Sequence, residues 1–219
     1  MLDQWMGKQI HPPLNLFAAN FFPRLISANV VTLLGFLIGM CSVPLLWQKY
    51  YLTSLGVIAL NRFMDGLDGA VARRDGVSDL GGYLDITCDF IFYSSVVFGF
   101  CLADPTRNSL AGAFLIFSFI GTGTSFLAYS VLAAKRGLTS QEYASKTFFY
   151  LGGLTEGTET IIFFMLLCVF PKHFPESAMI FGLLCWLTTF GRISIAIKTL
   201  DLKKNLKSPQ WLRNLKFKK

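Results

Sequence analysis

The sequence has few charged residues for its length. Only 15% of its 219 residues are charged and 53% are hydrophobic, whereas soluble domains carry about 25% charged residues. The apolar residues form long runs, which favours a membrane protein over a soluble one. Because no internal repeat or low-complexity linker interrupts the chain, we expect a single domain over residues 1–219.

Two further signals are missing. The five cysteines form no C-x-x-C pair and lie in or beside apolar runs, which predicts reduced thiols that pack as small hydrophobic side chains. The first residues, MLDQWMGKQIHPP, hold no apolar core and no small-residue cleavage site. We therefore expect no removable signal peptide.

Six apolar segments approach the length of about 20 residues that one bilayer crossing needs. The second and third contain carboxylates, and the fifth is short. The predicted fold is an all-α integral membrane bundle of six transmembrane helices. The segments are 28–47, 50–68, 81–103, 110–134, 158–170 and 178–200.

The first 26 residues predict an interfacial amphipathic helix that lies flat on the membrane. Pro12 and Pro13 suit the first turn of such a helix. Four apolar residues then recur at helical spacing on one face: Leu14, Phe17, Phe21 and Leu25.

Basic residues are distributed unevenly between the polar links. One set of alternate links holds only Lys49, Arg107 and Lys172. The other links and the termini hold the rest of the basic residues that lie outside the apolar segments. The positive-inside rule then predicts cytoplasmic termini. The last seventeen residues, 203–219, hold seven lysines and arginines. Such a tail after a span suits anionic lipid head groups better than nucleic acid.

Acidic residues concentrate where the second and third segments meet. Asp65 and Asp68 are spaced i, i+3 at the end of the second, and Asp85 and Asp89 are spaced i, i+4 near the start of the third. Each pair shares one helix face. The link between the segments is short, so we expect all four carboxylates to converge on the cytoplasmic side.

Four converging carboxylates repel one another and take up protons unless a cation neutralises them. Hard divalent cations prefer oxygen ligands, and Mg²⁺ commonly arrives with substrate phosphates. Two such ions about 4 Å apart can stabilise an in-line phosphoryl displacement. The residues alone therefore predict metal-assisted phosphoryl transfer, with two bound ions of Mg²⁺ or Mn²⁺.

The stretch DGLDGAVARRDGVSDLGGYLDITCD resembles the signature of the CDP-alcohol phosphatidyltransferase family, D-x-x-D-G-x-x-A-R followed by G-x-x-x-D-x-x-x-D. The spacer before the second half has seven residues here, against about eight in the family. The wider sequence, including YLGGLTEGTETI, resembles a small bacterial branch of this family, which implies a location in a bacterial inner membrane. The signature positions are matched by Asp65, Asp68, Gly69, Ala72, Arg73, Gly81, Asp85 and Asp89.

The resemblance implies a reaction in phospholipid biosynthesis. The donor would be CDP-diacylglycerol, the leaving group CMP and the acceptor a small polar alcohol, such as glycerol phosphate or inositol phosphate. Asp65, Asp68 and Asp85 would hold the ions, with Asp89 sharing the second ion and acting as general base. The donor would be bound by Asp68, Gly69, Ala72, Arg73 and Gly81.

The resemblance also implies a homodimer, which a G-x-x-x-G pair at Gly35 and Gly39 could support. An anionic acceptor would need further cations. Arg192 is the strongest candidate because it lies inside an apolar run. The other candidates for acceptor binding are Lys135, Arg136, Lys146, Glu156 and Glu159.

Two alternative functions remain open at this point. A CDP-amino-alcohol donor could react with diacylglycerol on the same fold. An ion or proton transporter could also use intramembrane acids, although transporters place them near the midplane and often in repeated halves.

Overall fold

The computed structural model describes residues 2–136 and 153–200, and every regular element within them is helical. In chain order the helices are α1 (Leu2–Asn20), α2 (Ala28–Met40), α3 (Ser42–Trp47), α4 (Tyr51–Asp75), α5 (Asp79–Ala103), α6 (Pro105–Lys135), α7 (Gly157–Val169) and α8 (Phe174–Leu200). A short 3-10 turn, Pro171–His173, leads into α8. The all-α prediction is confirmed.

Four stretches of the described residues are long and apolar enough to cross a membrane. Their outward sides expose leucine, isoleucine and phenylalanine side chains, which suits contact with lipid. Two helices lie outside these four stretches but coincide with predicted spans. Helix α4, which carries Asp65 and Asp68, covers the second predicted span, and α7, which is apolar but shorter, covers the fifth. The four stretches are Ala28–Trp47, Asp79–Ala103, Pro105–Lys135 and Pro171–Thr199.

The first of these stretches is broken in the middle, which the hydropathy did not predict. Helix α2 ends at Met40 and α3 begins at Ser42. The cause is Pro44, because a proline has no N–H to donate to the carbonyl four residues earlier and its ring clashes with that carbonyl. That carbonyl belongs to Met40.

Helix α1 differs from the predicted interfacial helix. It begins at Leu2 and holds Pro12 and Pro13 in its interior, so the expectation that they form its first turn is wrong. The four residues of the predicted apolar face also do not form one continuous surface. Leu14 is buried against the rest of the protein, whereas Phe21 and Leu25 lie beyond the end of α1 and are exposed.

The protein has two hydrophobic cores. The larger lies among α3 to α8 and contains Phe92, Phe100, Phe164 and Phe174, all almost fully buried. The smaller joins α1, α2 and α4. It holds the acid-bearing part of α4 in place, because its members flank Asp68 on both sides: Leu14, Ala18, Val31, Leu67, Ala70 and Val71.

Gly35 and Gly39 are used for packing within the chain. A Cβ atom on Gly35 would lie 2.8 Å from the Met64 Cβ, and one on Gly39 would lie 2.9 Å from the Phe92 ring. The Asn61 side-chain amide donates to the Gly35 carbonyl at 2.9 Å. These small residues therefore let α2 approach both α4 and α5, and they are not free to form a dimer contact.

Candidate active site

The acidic residues are brought together by a short connection between α4 and α5. Helix α4 ends at Asp75 and is followed by Gly76, whose φ of 118° lies in the region that favours glycine. Ser78 then caps α5, since its hydroxyl accepts a hydrogen bond from the Gly81 amide at 3.0 Å. Only residues 76–78 separate the helices. The spacer between Arg73 and Gly81, which is one residue shorter than in the family, is therefore accommodated by a tight turn.

Three of the four predicted carboxylates converge. One carboxylate oxygen from each of Asp65, Asp68 and Asp85 lies within 4.8 Å of the other two. Asp68 is buried, Asp65 is half-buried and Asp85 is exposed. Helix α2 lines the same small pocket through Thr32, Gly35 and Phe36.

This group suits a hard divalent cation. It offers only carboxylate oxygens, which are the ligands that Mg²⁺ and Mn²⁺ prefer. One oxygen of Asp68, Oδ2, is buried and has no hydrogen-bond partner among the described residues. Because a buried polar atom is seldom left unpaired, this oxygen is well placed to bind an ion.

Asp89 lines the same pocket but has different partners. Its Oδ1 accepts a hydrogen bond from the Arg62 guanidinium at 2.6 Å, and its Oδ2 accepts one from the Tyr93 hydroxyl at 2.9 Å. The other terminal nitrogen of Arg62 lies 3.4 Å from Asp65. Arg62 therefore bridges Asp65 on α4 and Asp89 on α5.

The sequence analysis did not identify Arg62 as a site residue. A signal was present, because Arg62 is a charged residue within the predicted second span, three positions before Asp65. An arginine at such a place is by default a functional hypothesis. The same argument singled out Arg192 in the sequence but was not applied to Arg62.

A larger cavity of about 540 Å³ adjoins the acidic group, within the usual size range of ligand sites. It shares Thr32, Asp68 and Asp85 with the smaller pocket. The structure thus places all the residues predicted to bind the donor around one cavity: Asp68, Gly69, Ala72, Arg73 and Gly81. The start of α2 adds Ser27 and Asn29 to its walls.

Helix α1 supports this cavity from outside. The Asn15 side chain accepts a hydrogen bond from Arg73 at 3.1 Å. Arg74 donates to the carbonyl groups of Ala18 and Phe22, so it fastens α1 to the end of α4. Arg74 also hydrogen-bonds Asp75 and thereby lowers the pKa of that carboxyl.

The described residues among those predicted to bind the acceptor do not line this cavity. Arg192 is buried, donates to the Thr122 carbonyl of α6 at 3.0 Å, and lies over the Phe126 ring at 5.5 Å. Gly123, next to Thr122, packs against Phe90 of α5, which neighbours Asp89. Arg192 therefore packs against α6 and is not among the residues that line the two pockets.

The other described acceptor candidates lie at two helix ends. Glu156 and Glu159 form a capping box at the start of α7, in which the Glu156 amide donates to Glu159 at 3.2 Å. Lys135 and Arg136 are exposed at the end of α6. Lys146 lies outside the described residues.

Comparison with known proteins identifies the family. The model of the CDP-alcohol phosphatidyltransferase family matches residues 25–191. The chain belongs to the CDP-alcohol phosphatidyltransferase family. The resemblance read from the acidic segment is thus confirmed, and it favours a transferase over the transporter alternative. The segment that distinguishes this family holds both the acidic group and the walls of the larger cavity.

Two relatives of this phosphatidyltransferase cover most of its length. It is 52% identical over 200 residues to inner membrane protein YnjF of Escherichia coli (strain K12), spanning 91% of this chain and 97% of that one. It is 30% identical over 179 residues to the archaetidylinositol phosphate synthase of Pyrococcus horikoshii, spanning 81% and 87%. The first relative and the long apolar helices together indicate a membrane protein.

A solved structure shares the fold. The crystal structure of Mycobacterium tuberculosis phosphatidylinositol phosphate synthase with CDP-DAG bound matches with a TM-score of 0.59. The match covers 86% of this chain and 93% of that one at 20% identity. The described helices therefore have the arrangement of a family member.

Proposed function

We propose that the protein transfers the phosphatidyl group of CDP-diacylglycerol to a small polar alcohol and releases CMP. One observation carries the proposal: the cavity walled by the predicted donor-binding residues shares Asp68 and Asp85 with the acidic group. A donor bound in that cavity would have its diphosphate beside the carboxylates. A neighbour in fold was crystallised with CDP-DAG bound, which agrees with this donor.

Asp65, Asp68 and Asp85 would hold Mg²⁺ or Mn²⁺. When bound, such an ion neutralises the donor diphosphate and favours departure of CMP. Arg73 lies on the cavity wall and presents a guanidinium, which can bind phosphate oxygens through two parallel hydrogen bonds. A Cβ atom on Gly81 would lie 3.1 Å from the Asn29 side chain, so glycine keeps this part of the cavity open.

Asp89 would accept the proton of the acceptor hydroxyl as general base. It lines the small pocket beside the other carboxylates. Arg62 and Tyr93 hydrogen-bond its two oxygens from the side of the protein interior. They would fix the direction in which the carboxylate meets the acceptor.

For the acceptor we propose a phosphorylated polyol, with inositol phosphate tested first and glycerol phosphate second. The relative from Pyrococcus horikoshii is named for an inositol phosphate product. A buried arginine, Arg192, lies one helix away from Asp89, and Lys135 and Arg136 lie at the end of that helix. An anionic acceptor needs cations of this kind.

The distribution of basic residues supports a cytoplasmic site with both termini in the cytoplasm. Helix α1 would then lie at the membrane surface, with Trp5 and Phe17 exposed to lipid. A homodimer, expected from the family, would use a surface other than Gly35 and Gly39. A reporter attached to the C-terminus, active only in the cytoplasm or only outside it, tests the orientation.

Donor choice separates the proposal from the amino-alcohol alternative. Purified protein should release CMP from CDP-diacylglycerol when a polyol phosphate and Mg²⁺ are supplied. With diacylglycerol as acceptor, CDP-choline or CDP-ethanolamine should give no product. The opposite pattern would establish the alternative reaction in place of this one.

A further inference from the structure

Arg62 lies within the acidic group that the proposed metal site uses. Its side chain is only 17% exposed, and its terminal nitrogens lie 2.6 Å from Asp89 Oδ1 and 3.4 Å from Asp65 Oδ2. One guanidinium therefore contacts a carboxylate from each of the two acidic pairs. A second, shared cation would need a carboxylate oxygen of Asp89, and both of these oxygens already accept hydrogen bonds, from Arg62 and Tyr93.

The guanidinium is held firmly in this place. Its Nε donates to the Asn61 side chain at 3.0 Å, and Asn61 is itself tied to the Gly35 carbonyl of α2. Its Cζ atom lies over the rings of Phe92 and Tyr93, 5.3 and 5.6 Å from their centroids. These hydrogen bonds and the two neighbouring rings restrict the guanidinium, so Arg62 is not a loosely tethered surface charge.

A divalent ion ligated by both Asp65 and Asp89 would need one oxygen of each at about 2.1 Å. Arg62 already bridges these two carboxylates. We infer that, in the donor-free protein, the guanidinium of Arg62 takes the place of the second cation, so the protein binds one divalent ion, at Asp65, Asp68 and Asp85. This rests on the proposed metal-dependent function and departs from the expectation of two ions.

Arg62 is on this account a positioning residue for Asp89. A guanidinium is always charged and presents its donors as a planar fork, so it orients the Asp89 carboxylate whether or not an ion is present. Asp89 is then not an ion ligand in the donor-free protein. This separates it from the other three aspartates in a way that an ion count can detect.

The test is to count Mn²⁺ ions on the purified donor-free protein, by calorimetry and by electron paramagnetic resonance of the free ion. We expect one ion for the wild type and two for Arg62→Gln. Arg107→Gln, which removes an arginine near the Pro171–His173 turn, should keep one. Two ions on the wild type, or one on a folded Arg62→Gln protein, would overturn the inference.

A second variant keeps the inference testable if Arg62→Gln does not fold. Asp89→Asn should leave the count at one and the Mn²⁺ affinity within about twofold, because Asp89 is not a ligand of that ion. A tenfold loss of affinity in this variant would overturn the inference while leaving the proposed function intact. No bound ion on the wild type at millimolar Mn²⁺ would instead overturn the metal site, and this inference with it.

Discussion

Asp89 contacts a different set of groups from the three aspartates that converge. Both of its oxygens accept hydrogen bonds, from Arg62 and Tyr93, whereas Asp68 keeps one buried oxygen without a partner among the described residues. Under the proposed function, the four carboxylates that look equivalent in sequence divide into an ion-binding group and a single base. Each group makes its own prediction.

Replacement of Asp89 by asparagine should lower turnover by about 10²–10⁴-fold, the usual loss for a general base. Asparagine keeps the shape and can still accept from Arg62, but it cannot take a proton from the acceptor. CMP release measures the turnover, and CDP binding should change little. Asp104→Asn is a matched control, because it retains an N-cap at the start of α6. Asp89→Asn activity within threefold of wild type would end the assignment.

Replacement of Asp68 or Asp65 by alanine should abolish ion-dependent donor binding. Each change removes an oxygen from the converging group, and the chelated wild type should behave in the same way until Mg²⁺ or Mn²⁺ is restored. CDP binding with and without the ion measures the effect. Asp79→Ala, in the exposed first turn of α5, is the control. Unchanged ion-dependent binding in Asp68→Ala would contradict the ion site.

The sequence predicted the aspartates because their spacing fixes the helix face on which each lies. It did not predict the partners of those aspartates. Whether Asp89 contacts an ion or Arg62 depends on how α2 positions α4 and α5. That position depends on the contacts that Gly35 and Gly39 make with Asn61 and Phe92, which are distant from them in sequence. Spacing within one helix carries no information about such a contact.

At the scale of elements, a helix end could be predicted where a capping residue and a proline mark the start of the next helix. The third predicted span and α5 both end at Ala103, because Asp104 and Pro105 begin the next helix there. The break after Met40 was missed, although Pro44 is plain in the sequence, because a hydropathy reading measures polarity and not the backbone N–H that proline lacks.

The contact between α1 and α4 makes a prediction at this scale. A Cβ atom on Gly66 would lie 2.7 Å from a Leu14 methyl group, whereas one on Gly56 of the same helix would meet nothing within 4 Å. Gly66→Val should therefore lower stability by about 1–3 kcal/mol, the range for overpacking. Gly56→Val should have far less effect. Thermal unfolding in detergent compares them, and equal midpoints would show that α1 does not pack as described.

At the scale of the whole molecule, the acceptor residues were the hardest to predict. Arg192 meets Thr122 across α6 and α8, seventy residues apart in sequence. Neither its burial nor its contact with Thr122 follows from the apolar run that contains it. The two glutamates, which the sequence offered as acceptor ligands, form a capping box, an alternative that their i, i+3 spacing also permits.

Arg192→Ala should raise the acceptor KM or lower turnover, with CDP binding unchanged, if Arg192 supplies charge for an anionic acceptor. Arg192→Lys should recover part of the loss, because it restores the charge without the planar fork. Kinetics with inositol phosphate measure both variants, and Arg107→Ala controls for the loss of an arginine elsewhere. Loss of folded protein in Arg192→Ala would instead make its contacts with α6 structural.

We propose that the acidic segment forms an ion-dependent site for phosphatidyl transfer from CDP-diacylglycerol. The most direct measurement is CMP release by the purified protein in detergent with CDP-diacylglycerol, Mg²⁺ and a series of alcohols. We predict release that requires donor, ion and acceptor together, that is fastest with a polyol phosphate, and that Asp68→Ala abolishes. CMP release that persists in excess chelator, or no release with any acceptor by a folded protein, would contradict the account.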